Sequence, residues 1–402
     1  MTNLPQGWKM ETLGEILSSN KYSIKRGPFG STLKKSFFVE KGIRIFEQYN
    51  PINNDPHWKR YFISHEKFQE LEAFKATEGD LLISCSGTLG KIVELPKDTE
   101  MGIINQSLLK IRLNNIKILN SYFIYYFNSP IMQEKILEST LGSAIKNIAS
   151  VKILKQIEIP LPPLKKQERI VGILDESFVK IDESIKILEQ NLLNLDELMQ
   201  SALQKAFNPL KDNAKENYKL PQSWEWKSLE EISENISAGG DKPKNCTESK
   251  TAKNQIPVYA NGVNNNGLVG YTDKATIIKP SLTISARGTI GFVCIRKEPY
   301  FPIVRLISLI PCENILCLHY LYFCLNFFIA KGEGSSIPQL TIPKFKSLQI
   351  PLPPLKEQEQ IAEHLDFVFE KAKALKELYT KELKDYEELK QSLLNKAFKG
   401  EL

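Results

Sequence analysis

Three groups of residues in this 402-residue chain have the types and spacing that chemistry asks for, and each stops short of a reaction. Asp55-Pro56-His57-Trp58 has the outline of the Asp-Pro-Pro-Trp loop that holds an amino group for methyl transfer. His57 stands where the second proline belongs, however, and no glycine-rich strand–loop signature for S-adenosylmethionine accompanies it. Cys85-Ser86-Gly87-Thr88-Leu89-Gly90-Lys91-Ile92 ends like a phosphate-binding loop but lacks the first glycine and the Ser or Thr after the lysine. The six cysteines (Cys85, Cys246, Cys294, Cys312, Cys317 and Cys324) contain no Cys-x-x-Cys pair. Cys312, Cys317 and Cys324 cluster among Leu, Tyr and Phe with His319 the one imidazole nearby, which reads as buried thiols rather than a zinc site. The four histidines (His57, His65, His319 and His364) are scattered, so no metal or acid–base constellation emerges.

The charge distribution suits contact with a polyanion, though a mild excess of this size is also common in proteins that never meet nucleic acid. Net charge is +6 and unevenly spread: 21 Lys+Arg face 16 Asp+Glu over residues 1–160, and 15 face 10 over 218–350. The intervening and final stretches, 161–217 and 351–402, are each net −2. Two positive blocks suit two sites on a nucleic acid. In the first block Lys25, Arg26, Lys34, Lys35, Lys59 and Arg60 form doublets near glycines and aromatics, the residue types that hold phosphates. Ser86, Thr88 and Lys91, and in the second block Arg287 and Thr289, sit on glycine-containing loops after a strand, where they can reach base edges or where the glycines simply make a tight turn. Lys242, Lys244, Asn264 and Asn265 are further candidates in the second block, beside Asn266. Lys146, Asn147 and Gln339 each fall just before a proline-rich segment.

Those two segments expose an internal repeat. Ile159-Pro160-Leu161-Pro162-Pro163-Leu164-Lys165 recurs letter for letter as Ile350 to Lys356, and Gln167-Glu168, Leu174-Asp175 and Lys205-Ala206-Phe207 recur as Gln358-Glu359, Leu365-Asp366 and Lys396-Ala397-Phe398. Leu4-Pro5-Gln6-Gly7-Trp8 returns as Leu220-Pro221-Gln222-Ser223-Trp224, with Leu13 and Ile16 returning as Leu229 and Ile232. Ile83-Ser84 and Gly87-Thr88-Leu89-Gly90 are echoed by Ile284-Ser285 and Gly288-Thr289-Ile290-Gly291. The ends match and the interiors have drifted: one frame carries two inserts.

The proline-rich segments predict a stiff, extended entry to a helix, since proline fixes φ and lacks a donor. Beyond the first, Leu174, Phe178, Ile181, Ile185, Leu188, Leu192, Leu195, Met199, Ala202 and Ala206 alternate in threes and fours. Beyond the second come Leu365, Val368, Ala372, Leu375, Tyr379, Tyr386, Leu389 and Leu393, interrupted at Glu382 with Leu383 beside it. These are coiled-coil seams on helices of about 60 Å, and with domains spliced between them antiparallel packing is expected. The inserts show short β-type runs, such as Gly42 to Glu47 and Leu282 to Ser285, followed by helical stretches. The expectation is an α+β chain: two mixed α/β domains joined by two long antiparallel helices as a pseudo-two-fold repeat. The boundaries fall at 1–160, 161–210, 211–350 and 351–402. The apolar run Ile315 to Ile329 is short for a membrane span and is broken by His319 and Asn326, so it reads as a buried helix. The opening residues lack a signal-peptide layout, and the unpaired cysteines point to a reducing, cytoplasmic setting.

The doubled Ile-Pro-Leu-Pro-Pro-Leu-x-x-Gln segment leading into a heptad helix resembles the specificity subunits of Type I restriction–modification systems. So do the Leu-Pro-x-x-Trp openings, the Gly27 to Ser31 loop and the Ser86–Lys91 and Ala286–Gly291 loops. The resemblance covers essentially the whole chain. It implies a non-catalytic protein whose inserts are target recognition domains, each reading half of a bipartite DNA sequence. The helices would act as spacer and dock two methyltransferase subunits, with restriction subunits in the larger complex. S-adenosylmethionine, ATP and magnesium would belong to those partners. Two other readings stay open at this point, a peptide-binding scaffold and a self-sufficient methyltransferase. The second insert departs at Ala238-Gly239-Gly240-Asp241-Lys242-Pro243, where the sequence does not decide which loop roles carry over from the first.

Overall fold

The computed structural model describes residues 5–138, 148, 150–207, 221–329 and 340–402. The chain divides into two units, Met1–Leu188 with Lys381–Leu402, and Glu189–Thr380. Each therefore holds one insert together with the near part of one long helix and the far part of the other.

In the first unit, the opening strand Lys9–Thr12 pairs antiparallel with the proline-rich strand Glu158–Leu161. A two-stranded ladder tolerates Pro160 because one edge of that strand needs no donor. The one-turn helix Leu13–Ile16 follows, with Thr12 and Glu15 forming a reciprocal capping box. The insert contributes a four-stranded antiparallel sheet in the order Ile24–Arg26, Leu108–Ile111, Leu81–Ser84, Ile92–Glu94. A second sheet of five short strands has Ile43–Phe46 and Gly102–Ile104 parallel at its centre. Helix Asn120–Phe127 packs on the four-stranded sheet, and the core joins Leu81, Ile83, Leu109 and Tyr122 to Leu174 of the first long helix and Phe398 of the second. The Phe398 ring meets Tyr122 and Tyr126 edge-on at 5.4 and 5.1 Å.

The second unit repeats this plan. Strand Glu225–Ser228 pairs with Gln349–Leu352, and Ser228 and Glu231 form the matching capping box. The four-stranded sheet runs Ser233–Ala238, Ile307–Pro311, Ser281–Ile284, Val293–Arg296. Phe207 takes the place of Phe398, its ring 5.7 Å from that of Tyr320. Tyr122 and Tyr320 each send a hydroxyl, at 2.7 Å, to the carbonyl of a proline in the repeated segment, Pro160 and Pro351. The inserts differ in their second sheet, which here has three strands: Leu268–Thr272, Ile256–Tyr259 and Phe301–Pro302. The apolar run forms helix Leu318–Phe328, with Tyr320, Leu321, Phe323, Cys324 and Leu325 buried. Among the described residues no helix is long and apolar enough to cross a membrane.

The long helices are Leu164–Phe207 and Leu355–Lys399, and they pack antiparallel. In the first unit Lys390 donates to Asp182, and in the second Lys376 donates to Asp196. A step of two heptads forward on one helix is thus matched by two heptads backward on the other. Leu174, Ile181, Leu188, Leu195, Leu365 and Ala372 are buried, and Ile185, Leu192, Val368, Tyr379, Tyr386 and Leu393 half-buried. Leu375 and Leu389 need correction: they are 38% and 44% exposed. The adjacent Lys376 and Lys390 turn inward instead, with side chains 30% and 19% exposed. A lysine stem can lie along an apolar seam while its ammonium reaches a carboxylate at the rim.

Candidate nucleic-acid interface

Because neighbouring strands of each four-stranded sheet are antiparallel, one sheet edge gathers the end of the first strand, the start of the second and the end of the third. In the first unit this brings together Gly27–Ser31, Asn105–Ser107 and Ser86–Lys91. The Gly27 N–H donates to the Leu108 carbonyl at 2.9 Å, and the Cys85 N–H to that of Ser107 at 2.8 Å. Gly27 is required for this approach, since a Cβ there would lie 1.8 Å from the Asn105 carbonyl oxygen. The Ser86–Lys91 loop folds back on its strand through the Gly90 N–H to Ser84 carbonyl bond (3.0 Å) and the Lys91 N–H to Ser84 Oγ bond (2.9 Å).

Around this edge the structure places Lys25 and Arg26 on the first strand, half-buried Ser86, and exposed Thr88 and Lys91. The Lys25 ammonium lies 5.3 and 5.1 Å from the Tyr22 and Phe74 rings, and the Arg26 guanidinium 5.3 Å from Phe29. Lys34 and Lys35 are exposed further along the same loop. Lys59 and Arg60 lie instead in the loop before strand Phe62–Ile63 of the five-stranded sheet, where Lys59 is paired with Glu100 at 2.6 Å and Arg60 lies over Tyr61. Lys146, Asn147 and Gln339 lie outside the described residues.

The Asp55–Trp58 loop is built as a turn. Asp55 Oδ1 accepts the N–H groups of His57 and Trp58, each at 3.0 Å, and Trp58 stacks on Tyr49 at 4.3 Å. Buried Arg44 donates to the Pro56 and Trp58 carbonyls at 2.9 and 2.7 Å, and burial pulls its pKa down to about 10. The cysteines are all free, and burial raises the Cys85 thiol to about 12, far from a reactive thiolate. Among the described residues no cluster of three His, Cys, Asp or Glu could hold a metal ion.

The second unit builds the same edge with other residues. The Gly239 N–H donates to the Leu306 carbonyl at 2.8 Å, as Gly27 does to Leu108. A Cβ on Gly239 would sit 2.6 Å from the Ile303 nitrogen. The two glycines therefore make the same close approach in both inserts, an equivalence that the sequence comparison leaves open. The flanking letters changed while the close approach stayed. Arg287 and Thr289 are exposed on the Ala286–Gly291 loop, Lys242 and Lys244 beyond Gly240, and Asn264 and Asn265 on a one-turn helix. Asn265 and Asn266 take left-handed conformations (φ +48° and +52°), which asparagine tolerates better than most residues.

Sequence reasoning missed three features of these edges. One is the turn entering the central strand, Asn105–Leu108 in the first unit and Ile303–Leu306 in the second, each closed by a 3.1 Å bond. Another is Asn261, whose Oδ1 accepts from the Ala286 N–H at 2.8 Å and whose Nδ2 donates to the Val304 carbonyl at 2.6 Å, joining two of the loops. The last is the pair Val304 and Arg305, both at positive φ (+54° and +60°), at a cost of about 1–2 kcal/mol per residue. The offset between the inserts varies along their length, so the turns align only once the strand pairing is known.

The comparison with known proteins fits this doubled architecture. The family model described as Type I restriction modification DNA specificity domain matches twice, over residues 5–194 and 221–384. The chain belongs to this family. A Mycoplasma pneumoniae protein named as a type I specificity subunit is 33% identical over 221 residues, 54% of this chain and 56% of its own length. A second from the same organism is 31% identical over 231 residues and is covered over 66% of its length. The Escherichia coli type I restriction enzyme EcoBI specificity subunit is 22% identical over 359 residues, 80% of this chain and 73% of that one. Among solved structures, a chain from a type I R-M system assembly superposes with a TM-score of 0.81 at 20% identity over the full length of both chains. The HsdS subunit from Thermoanaerobacter tengcongensis gives 0.64 at 20% identity, covering 99% of this chain and 98% of that one. Both share the fold of this specificity-domain protein.

Proposed function

We propose that this chain is the sequence-recognition subunit of a Type I restriction–modification complex, with no catalytic site of its own. Each unit reads one half of a bipartite duplex target through its loop edge. The paired helices set the spacing of the half-sites and dock two methyltransferase subunits, and restriction subunits join the larger cytoplasmic assembly. Adenine methylation and cleavage would belong to those partners, which would hold S-adenosylmethionine, ATP and magnesium. The observation that carries this reading is the same glycine-closed, three-loop edge built twice on one frame from different side chains. A pair of catalytic sites would need matching chemistry at both edges, whereas two readers of different sequences need matching scaffolds and unlike tips.

The test is methylation mapping of the host genome with and without this gene, alongside duplex binding by the chain across a salt series. A bipartite motif lost with the gene, and binding that weakens steeply with salt, support the reading. Sequence-indifferent binding with a flat salt response would favour a protein scaffold. Methyl transfer by the purified chain alone would make it an enzyme.

A further inference from the structure

We propose that Arg305 reads a guanine in the half-site of the second unit; this rests on the DNA-recognition reading above. Arg305 lies at the centre of the Ile303–Leu306 turn, on the loop edge shared with Gly239 and the Ala286–Gly291 loop. Turns with both central residues at positive φ are built from Asn, Asp and Gly, because a Cβ is strained there and a β-branched one more so. Here the central residues are Val304 and Arg305. The matching turn of the first unit has Gln106 and Ser107 at its centre, neither of them at positive φ.

The second unit holds its turn in this conformation by tying down the backbone. The Val304 N–H donates to the Gly240 carbonyl and the Arg305 N–H to that of Gly239, both at 2.8 Å, while Asn261 takes the Val304 carbonyl. Strain that is over-determined in this way is characteristic of residues held for function. Arg305 is exposed, and among the described residues nothing engages its guanidinium. Arg296 in the same unit shows the alternative fate: it is buried, donates to Thr283 and Asn266, and lies 3.6 Å over the Tyr259 ring. An arginine with an unspent planar fork on a fixed backbone fits the O6/N7 edge of guanine, the commonest specific contact in the major groove.

The test compares the methylated motif in cells carrying the wild-type chain, Arg305→Gly and Arg305→Lys. Arg305→Gly relieves the strain, so its melting temperature is expected to equal or exceed that of wild type, which separates recognition from folding. With the wild-type chain, one position of one half-site is G·C. With both variants that position is expected to become degenerate, discrimination there falling by roughly 5- to 150-fold, while the other half-site is unchanged. A motif identical in all three overturns the proposal. So does a uniform loss of methylation with Arg305→Gly that Arg305→Lys restores, which would make Arg305 a phosphate contact. If the wild-type chain yields no motif at all, the recognition reading itself fails.

Discussion

Gln167 accepts a 2.9 Å hydrogen bond from the Leu119 N–H, clamping the first unit's insert to the start of its long helix across 48 residues of sequence. Its amide also donates to the Lys117 and Pro162 carbonyls at 2.9 and 2.8 Å. Gln358 makes the same set in the second unit, with the Cys317 N–H and the Ile315 and Pro353 carbonyls. Both glutamines are fully buried.

Removing either side chain leaves a part-buried donor, a part-buried acceptor and one fully buried proline carbonyl without their partner, at a cost of about 1–3 kcal/mol. Gln167→Ala is therefore expected to lower the denaturation midpoint of the chain and to speed amide exchange at Leu119, leaving Cys317 unaffected. Gln358→Ala should do the reverse. Equal exchange at both amides in either variant would show that the clamp is not local.

The glutamines show what was legible in the sequence. The repeated Pro-Pro-Leu-x-x-Gln marks the frame because its chemistry is local: prolines and a buried amide within about one turn of the helix start. The seam was partly legible, since apolar spacing finds Leu174 or Ala372 but passes over Lys376 and Lys390, whose burial depends on which face the partner helix presents. Least legible were the loop edges. Arg305, Asn261 and Gln106 carry no spacing signal, and only strand pairing brings them beside Gly239, Ala286 and Gly27.

The close approach at each glycine predicts a half-site-specific defect. In Gly27→Ala the new methyl meets the backbone oxygen of Asn105, so the turn must shift, with overpacking of about 1–3 kcal/mol. Methylation mapping should then show the first half-site weakened or lost, with the second read normally by the same molecules. Gly239→Ala should show the converse. An intact motif from either variant would remove the edge from the recognition surface.

The inward lysines predict a modest gain. Lys390 and Asp182 form a rim pair, with the carboxylate 54% exposed, and such pairs contribute up to about 1 kcal/mol. Lys390→Leu loses that pair but covers the seam with a full aliphatic side chain, so a melting temperature equal to or above wild type is expected. Leu389→Lys, on the exposed side, should be near neutral. If Leu389→Lys were strongly destabilising and Lys390→Leu lowered the melting temperature, the seam would run through Leu389 after all.

Both capping boxes add an acid sensitivity of known sign. Hydrogen bonds from the Thr12 backbone and side chain hold the Glu15 carboxyl below its ordinary value, and those from Ser228 do the same for Glu231. A carboxylate with a depressed folded pKa contributes stability above its unfolded pKa and loses it as pH falls through the folded one. Glu15→Gln together with Glu231→Gln should therefore flatten the decline in stability below about pH 4.5, while changing it little between pH 5 and 5.5 if the amide preserves the bonds. A decline as steep as that of wild type would assign the acid sensitivity to other groups.

If the helix pair sets the distance between half-sites, its length is part of the specificity. One heptad inserted into both helices at matching points, between the Asp182–Lys390 and Asp196–Lys376 pairs, preserves the seam and adds about 10 Å of helix. On the proposed reading the half-sites depend on side chains at the loop edges, which the insertion does not touch. Methylation mapping is therefore expected to return the same two half-sites with a longer spacer. An insertion into one helix alone mismatches the antiparallel ladder and should lower stability without defining a new spacer. A doubly inserted chain that is folded and active on the original spacing would show that the helices do not measure the site.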